Sequence, residues 1–322
     1  MSALRPPATP ETYRITGEAQ GTTYAITYYS DRKLARKPQI DSIFKSLDAS
    51  LSIYQPGSLI SRFNASSEGI EMDEHLAYVV GKSMEIYRET GGLSDITVYP
   101  LVRAWGFGAK APDEMPDSAA IRQMLPCVGS DKLKIEGRKL LKTTPCVQID
   151  VNGIAQGYSV DVVAEFLEAR GIHNYMVEIG GEIRTKGRKL PGNEPMKIGI
   201  ETPSATEFDA PAIREVISIG TGAVTTSGSY RKFRESGGTR LSHIIDPKTG
   251  FPVQREIISA TIVAPNAIIA DGFDNALLAA GIDGAFEILT RHPEMQAYLI
   301  YRKPNGSIAD TTSVGFGRYL VR

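Results

Sequence analysis

The chain has 322 residues, of which 42% are hydrophobic and 23% charged, a balance typical of a globular protein with a sizeable core. Its net charge is −1 and its Lys and Arg residues are scattered, which argues against nucleic acid or an anionic membrane surface as the main partner. No apolar run approaches the ~20 residues of a membrane span.

The N-terminal segment and the cysteines say little about the compartment. Residues 1–7 lack the apolar region of a signal peptide, so the chain is either cytoplasmic or the mature part of an exported protein. We expect residues 1–10 to form a flexible lead and residues 11–322 to form one domain. Cys127 and Cys146 have neither CxxC spacing nor neighbouring His or Cys ligands, so we expect two separate thiols and neither a zinc site nor a redox dithiol.

The first half of the chain predicts a strand hairpin followed mainly by helices. A helix is expected from Asp73, an N-cap residue, to Thr90, and the two glycines that follow end it. A short helix is expected between Asp113 and Pro126. The other elements predicted from apolar periodicity are strands at 13–16 and 22–29, a helix at 39–51, a hairpin at 132–135 and 139–142, and a strand at 147–151.

The second half combines helices with many short strands. A helix at 154–169 precedes a strand at 175–179, and short strands dominate residues 197–263. Helices at 266–280, ended by Gly281, and at 283–291 precede strands at 296–301 and 307–310. With no internal repeat or long linker, this pattern predicts a single α+β domain with mixed or antiparallel sheets flanked by helices.

One polar pair lies on the predicted helix that begins near residue 266. Asp271 and Asn275 are four residues apart, so their oxygen atoms share one helix face and are suited to Mg²⁺. Alternatively, Asp271 is an acid near a helix start that only complements the helix dipole. The small residues at 152–157 leave backbone groups accessible to phosphate or metal at another helix start, although a plain strand-to-helix connection explains them equally well.

Other segments have the composition of ligand-binding loops. His243, which is followed by Asp246 and Pro247, has the side chain to accept a proton near neutral pH, or it is structural. Tyr54 and Trp105 lie in segments marked by Pro or Gly, where rings stack on ligands or pack in the core. Close backbone approach to a ligand, or ordinary turn chemistry, explains residues 180–182 and 225–230.

In order along the chain, these segments resemble the FAD:protein FMN transferase (ApbE) family. The landmarks are residues 20–24, 51–54 with 60–64, 95–102 leading to 105–108, 149–158, 180–182, 225–230, 242–247 and 270–276. The resemblance implies an ApbE-like domain that transfers the FMN half of FAD to a Ser or Thr hydroxyl of an acceptor flavoprotein and releases AMP.

The resemblance also implies roles for particular residues. Mg²⁺ would be held by Asp271, Asn275 and the backbone carbonyl of Ala155, and His243 and Asp271 would be catalytic. The residues that would bind FAD are Tyr54, Thr97, Glu178, Gly181, Ser227, Ser229 and His243. Three residues depart from the family pattern: Asn275 replaces Thr or Asp, Gln156 replaces Lys, and Gln20 replaces Met. The first is expected to weaken metal binding, and the second removes a cation that would contact phosphate or a carboxylate.

Two further functions compete with the transferase. Water in place of the acceptor hydroxyl would make the protein a metal-dependent FAD pyrophosphatase, and loss of the metal site would leave a non-catalytic FAD-binding protein. Acceptors in the family are subunits of membrane redox complexes such as the Na⁺-pumping NADH:quinone oxidoreductase or Rnf. The resemblance further implies a lipid-anchored protein on the periplasmic side of the inner membrane.

Overall fold

The computed structural model describes residues 9–108, 115–202, 212–228, 233–236 and 239–321. Its centre is an eight-stranded sheet in the order β1-β2-β6-β7-β10-β13-β14-β15, in which all neighbouring strands are antiparallel. These strands are β1 (Glu11–Ala19), β2 (Thr22–Ser30), β6 (Tyr175–Ile179), β7 (Glu182–Lys186), β10 (Gly222–Gly228), β13 (Ile257–Ala264), β14 (Gln296–Arg302) and β15 (Ile308–Thr312).

Smaller sheets and seven helices surround this sheet in the described part of the chain. The smaller sheets contain β3 (Gly69–Glu71), β4 (Leu133–Glu136) and β5 (Lys139–Lys142), then β8 (Lys197–Glu201) with β9 (Ile213–Ser218), and β11 (Phe233–Ser236) with β12 (Thr239–Ser242). The helices are α1 (Lys37–Leu51), α2 (Leu59–Ala65), α3 (Glu74–Glu89), α4 (Tyr99–Ala104), α5 (Ser118–Met124), α6 (Ala155–Glu168) and α7 (Ala267–Arg291).

The sheet is covered on both faces. Helix α7 packs on β10 and β13, and α6 packs on β6 and β7 and against α7. Helix α1 contacts α6 and the β1–β2 hairpin, and α3 contacts α7. A second apolar cluster, which includes Ile198, Ile217, Val263 and Phe316, joins the β8–β9 hairpin to the sheet. The result is one α+β domain with antiparallel sheets, which confirms the predicted fold class.

Helix α7 matters most for the site, and its course follows from local signals. The Asn266 side chain accepts a hydrogen bond from Ile269 N at 3.3 Å, which makes it the N-cap. At Gly281 the backbone leaves the helical region (φ 73°, ψ 176°), a conformation that favours glycine. The interruption predicted at Gly281 is therefore confirmed, and the two predicted helices are the two halves of α7.

The strand predicted at 147–151 is wrong. Val147, Ile149 and Val151 are buried, which produces the alternation of a strand, but the segment pairs with no strand among the described residues. Instead the Asn64 side chain donates to Ile149 O at 2.8 Å and accepts from Ile149 N at 2.7 Å. A side chain thus satisfies the backbone groups of Ile149, which a neighbouring strand would otherwise satisfy.

The prediction of two separate thiols is also wrong, because Cys127 and Cys146 form a disulfide. Their Cα atoms lie 5.4 Å apart across a sequence separation of 19 residues. The bond joins the end of the α5 region to the segment that leads towards the start of α6. In the described part of the chain, no helix has the length and apolar composition needed to cross a membrane.

Candidate functional site

A cavity of about 320 Å³ lies where the starts of α6 and α7 approach the ends of several strands. This volume falls within the range of small-molecule sites. Five predicted site residues line it, namely Tyr54, Ser227, His243, Asp271 and Asn275. The fold therefore brings together side chains that are separated by more than 200 positions in the sequence.

Asp271 is the most unusual group in the cavity. Its carboxylate is 4% exposed, and Oδ2 accepts a hydrogen bond from Gly157 N, in the first turn of α6, at 2.7 Å. Burial raises the pKa of Asp271 from 3.8 to about 7. A carboxylate held this way in a cleft is typical of a functional site.

Two neighbours of Asp271 on α7 carry buried oxygens. Asn275 Oδ1 has no hydrogen-bond partner among the described residues, and neither has Asp274 Oδ1. The other Asp274 oxygen accepts from Thr225 Oγ1 at 3.2 Å. Burial, followed by the charges of Asp271 and Glu182, raises the pKa of Asp274 well above its ordinary value.

These oxygens fit a hard divalent cation, which coordinates carboxylate, amide and carbonyl oxygens. An orphaned buried oxygen such as Asn275 Oδ1 costs free energy until it finds a partner. Ala155 O, the predicted backbone ligand, already accepts from Ser159 Oγ at 2.8 Å and does not line the cavity. No group of three His, Cys, Asp or Glu side chains in the described ranges is arranged for a metal, so a cation here would rely on Asp271, Asn275, backbone and substrate.

Close packing forms the wall beside these oxygens. A Cβ atom on Gly153 would lie 3.0 Å from Asn275 Nδ2, and one on Gly180 would lie 2.2 Å from Gln156 Nε2. Gly180 also has a positive φ of 63°. The glycines therefore allow the two amides, both of which line the cavity, to lie directly against backbone.

Aromatic residues form another part of the cavity lining. Tyr54 is 60% exposed and lines the cavity, so it is not a core residue and its ring is accessible for stacking. His243 lies edge-on to Phe107, with ring centroids 6.3 Å apart. Trp105 packs in the core instead, since it is 7% exposed and its Nε1 donates to Gly250 O at 2.7 Å.

Three further predicted FAD-binding residues, Thr97, Glu178 and Gly181, do not line the cavity. Thr97 is fully buried behind it and donates from Oγ1 to Asp95 Oδ1 at 2.7 Å. Glu178 accepts a hydrogen bond from Gly181 N at 2.9 Å, so these two residues stabilise the turn between β6 and β7. Ser229 lies outside the described residues. The FAD contacts of all four stay predictions.

Sequence reasoning missed several acidic lining residues. Asp95 lines the cavity and accepts hydrogen bonds from the backbone and side chains of both Thr97 and Ser130, while burial raises the pKa of Asp95. Glu182, which follows the glycine pair, also lines the cavity. The available signal was an acid within two residues of a predicted FAD-binding residue, Asp95 near Thr97 and Glu182 beside Gly181.

Comparisons with known proteins identify the family of the chain. The ApbE family model matches residues 20–299. The FAD:protein FMN transferase of Haemophilus influenzae is 36% identical to this chain, over 93% of this chain and 89% of that protein. The FAD:protein FMN transferase of Vibrio cholerae is 39% identical, over 84% of this chain and 82% of that protein.

Solved structures agree as well. The flavin transferase ApbE from Vibrio cholerae superposes with a TM-score of 0.87 at 34% identity, covering 97% of this chain and all of that one. The apo flavinyl transferase ApbE from Pseudomonas stutzeri gives a TM-score of 0.86 at 29% identity, with 99% and 98% covered. The chain therefore belongs to the ApbE family of FAD:protein FMN transferases.

Proposed function

We propose that this enzyme transfers FMN from FAD to a Ser or Thr hydroxyl of an acceptor flavoprotein, releases AMP, and depends on Mg²⁺. The observation that carries the proposal is the pairing of Asp271 with the orphaned oxygen of Asn275 at the cavity wall. Both are oxygen ligands suited to Mg²⁺, which completes its coordination with water and substrate phosphate.

The charge of the cavity supports a requirement for a cation. Asp95, Asp150, Glu182 and Asp271 line it, and none of the described lining residues is Lys or Arg. A pyrophosphate would meet carboxylates here, and like charges at short range repel. Asp271 and Asn275 would hold Mg²⁺, and the Ala155 carbonyl would be a third ligand through the lone pair that Ser159 Oγ does not use. The ion would supply the positive charge that stabilises the pyrophosphate and the departing AMP.

The proposed reaction breaks one bond and forms one bond at the FMN phosphorus. The acceptor oxygen attacks that phosphorus, the bond to the AMP phosphate oxygen breaks, and AMP leaves with the bonding electrons. We assign the hydroxyl proton to His243, which lines the cavity beside Phe107. Tyr54 would stack on the flavin, and Ser227 would contact FAD. The other predicted FAD contacts are those of Thr97, Glu178, Gly181 and Ser229.

The partner and the compartment are parts of the same proposal. The acceptors would be flavoprotein subunits of membrane redox complexes of the Na⁺-pumping NADH:quinone oxidoreductase or Rnf type. We place the enzyme on the periplasmic side of the inner membrane, attached through a lipid anchor. The Cys127–Cys146 disulfide supports this location, because disulfides persist mainly in oxidising compartments.

The test is incubation with FAD and Mg²⁺, with and without an acceptor domain, while AMP and protein-bound flavin fluorescence on a denaturing gel are measured. Covalent fluorescence that requires the acceptor supports transfer. AMP without labelled acceptor would instead indicate the pyrophosphatase, and FAD binding without AMP would indicate the non-catalytic protein.

Variants assign the roles in this assay. Asp271→Ala should abolish AMP release, whereas Asp283→Ala, an exposed acid on the same helix, should not. His243→Ala should slow labelling of the acceptor more than hydrolysis of FAD. Equal AMP release by Asp271→Ala and the wild type would contradict the metal assignment.

A further inference from the structure

We propose that Asp161 is a positioning residue that locks α7 against α6 and thereby keeps Asp271 on the Gly157 amide. Asp161 lies on α6 and is 4% exposed. It lines no part of the cavity, so it affects the site only through other residues.

The carboxylate of Asp161 connects three elements. Its Oδ1 accepts from Ala267 N at 2.9 Å and its Oδ2 accepts from Ile268 N at 2.8 Å, both in the first turn of α7. Oδ1 also receives Arg184 Nη1, from β7, at 2.7 Å. An anion at this position is stabilised by the positive end of the α7 dipole.

The spacing of these contacts sets the register of two antiparallel helices. Gly157 bonds to Asp271, and Asp161, four residues later on α6 (161 − 157), bonds to Ala267, four residues earlier on α7 (271 − 267). Each step is about one helical turn, 5.4 Å. The two contacts thus lie one turn apart between the same faces of the two helices. The Asp161 contact fixes the position of Asp271 along the helix axis relative to Gly157.

Ordinary helix capping does not account for Asp161. Asn266 already caps α7 from within its own chain segment, through Ile269 N. Capping by Asn266 satisfies a donor without tying α7 to anything, whereas the Asp161 contacts tie it to α6. Removing either residue weakens the start of α7, but only removal of Asp161 frees the helix to move relative to Gly157.

The Gly157 amide itself reports the position of Asp271. It lies in the first turn of α6, where N–H groups have no intrahelical acceptor, so its protection from hydrogen exchange depends on the Asp271 carboxylate. The binding of Mn²⁺ as a probe ion, followed by electron paramagnetic resonance, reports the same carboxylate independently. The second readout rests on the proposed metal site, and the first does not.

The experiment compares Asp161→Asn with Asn266→Ala, using the full chain. In Asp161→Asn the amide NH₂ faces the N–H of Ala267 or of Ile268, and in the first orientation it also faces Arg184, so at least one hydrogen bond from α7 is lost and the contact between the helices weakens. We expect faster exchange at Gly157 and an about tenfold loss of Mn²⁺ affinity, the usual size for a lost supporting contact at a metal site. Asn266→Ala should lower Tm but leave both readouts at wild-type values.

The outcomes separate the two proposals. Unchanged Gly157 exchange and Mn²⁺ affinity in folded Asp161→Asn, or equal changes in both variants, would overturn the role of Asp161. If the wild type binds no Mn²⁺, the proposed metal site fails, and Gly157 exchange still decides the role of Asp161. Should Asp161→Asn not fold, Asp161→Asn with Arg184→Met removes the guanidinium that has lost Asp161, and this double variant is compared with Arg184→Met alone.

Discussion

Replacing Gly157 with Ala tests how closely α6 must approach α7. A Cβ atom at position 157 would lie 2.4 Å from Ala267 O and 2.7 Å from Asp271 Cβ. The first contact is with backbone, which cannot rotate away. Since ordinary contact with a carbon begins near 3.4 Å, the helices must separate by about 1 Å (3.4 − 2.4) to accept one methyl group.

Two effects of known size follow from that separation. Overpacking of this kind costs about 1–3 kcal/mol, while Ala gains about 0.5–1 kcal/mol over Gly within a helix, so we expect a net loss of about 1–2 kcal/mol in stability. A displacement of about 1 Å at a reacting centre costs roughly hundredfold in rate. Urea unfolding measures the first effect, and AMP release from FAD with Mg²⁺ measures the second.

Gly81→Ala is the matched control. Gly81 lies within α3, and an added Cβ would meet nothing within 4 Å, so this variant should be about 0.5–1 kcal/mol more stable than the wild type and fully active. If Gly157→Ala unfolds at the same urea concentration as Gly81→Ala and keeps wild-type AMP release, close contact at Gly157 has no part in stability or catalysis.

Three further results are expected. Burial raises the pKa of Asp271 to about 7, so between about pH 4 and pH 7 the folded, metal-free protein binds a proton that the unfolded chain has lost. In EDTA, the free energy of unfolding should therefore be highest below about pH 4 and fall as the pH rises to 7. Urea unfolding of Asp271→Asn should not show this fall. Trp105→Phe leaves the buried Gly250 carbonyl without its donor and should cost about 1–3 kcal/mol in urea unfolding, and an unchanged midpoint would show that the bond is dispensable. Dithiothreitol should lower the free energy of unfolding of the wild type by about 3 kcal/mol, because reduction opens the loop that the disulfide closes. The variant in which Ser replaces both Cys127 and Cys146 should be unaffected, and an equal effect of dithiothreitol on both proteins would contradict a stabilising disulfide.

Local signals explain why many elements were predictable from the sequence. Helix α3 starts after Asp73 because that side chain accepts from Leu76 N at 2.8 Å, within one turn. The hairpin of β1 and β2 has a left-handed turn at Gln20 and Gly21, and glycine marked that turn in the sequence. Such interactions join residues that are close in the chain, so composition reveals them.

The failures share a different cause. The segment at 147–151 is held by Asn64, 85 residues earlier, and the Cys127–Cys146 pairing depends on how α5 and α6 are placed. Apolar alternation is the same whether a strand or a single side chain satisfies the backbone. Distant contacts leave no spacing that a periodicity argument can detect.

The candidate site combines both kinds of information. The i, i+4 spacing of Asp271 and Asn275 predicted that the two oxygens share a face, and both line the cavity. The same spacing joins Gly157 to Asp161 on α6, where a small residue and an acid interrupt an otherwise apolar face. Taken alone, that pair reads as two weak helix formers. In the folded protein, Gly157 allows α7 to approach α6 closely and Asp161 holds Asp271 in place. Buried polar and small residues at helical spacing therefore indicate where two helices meet at a site, even when neither residue touches the ligand.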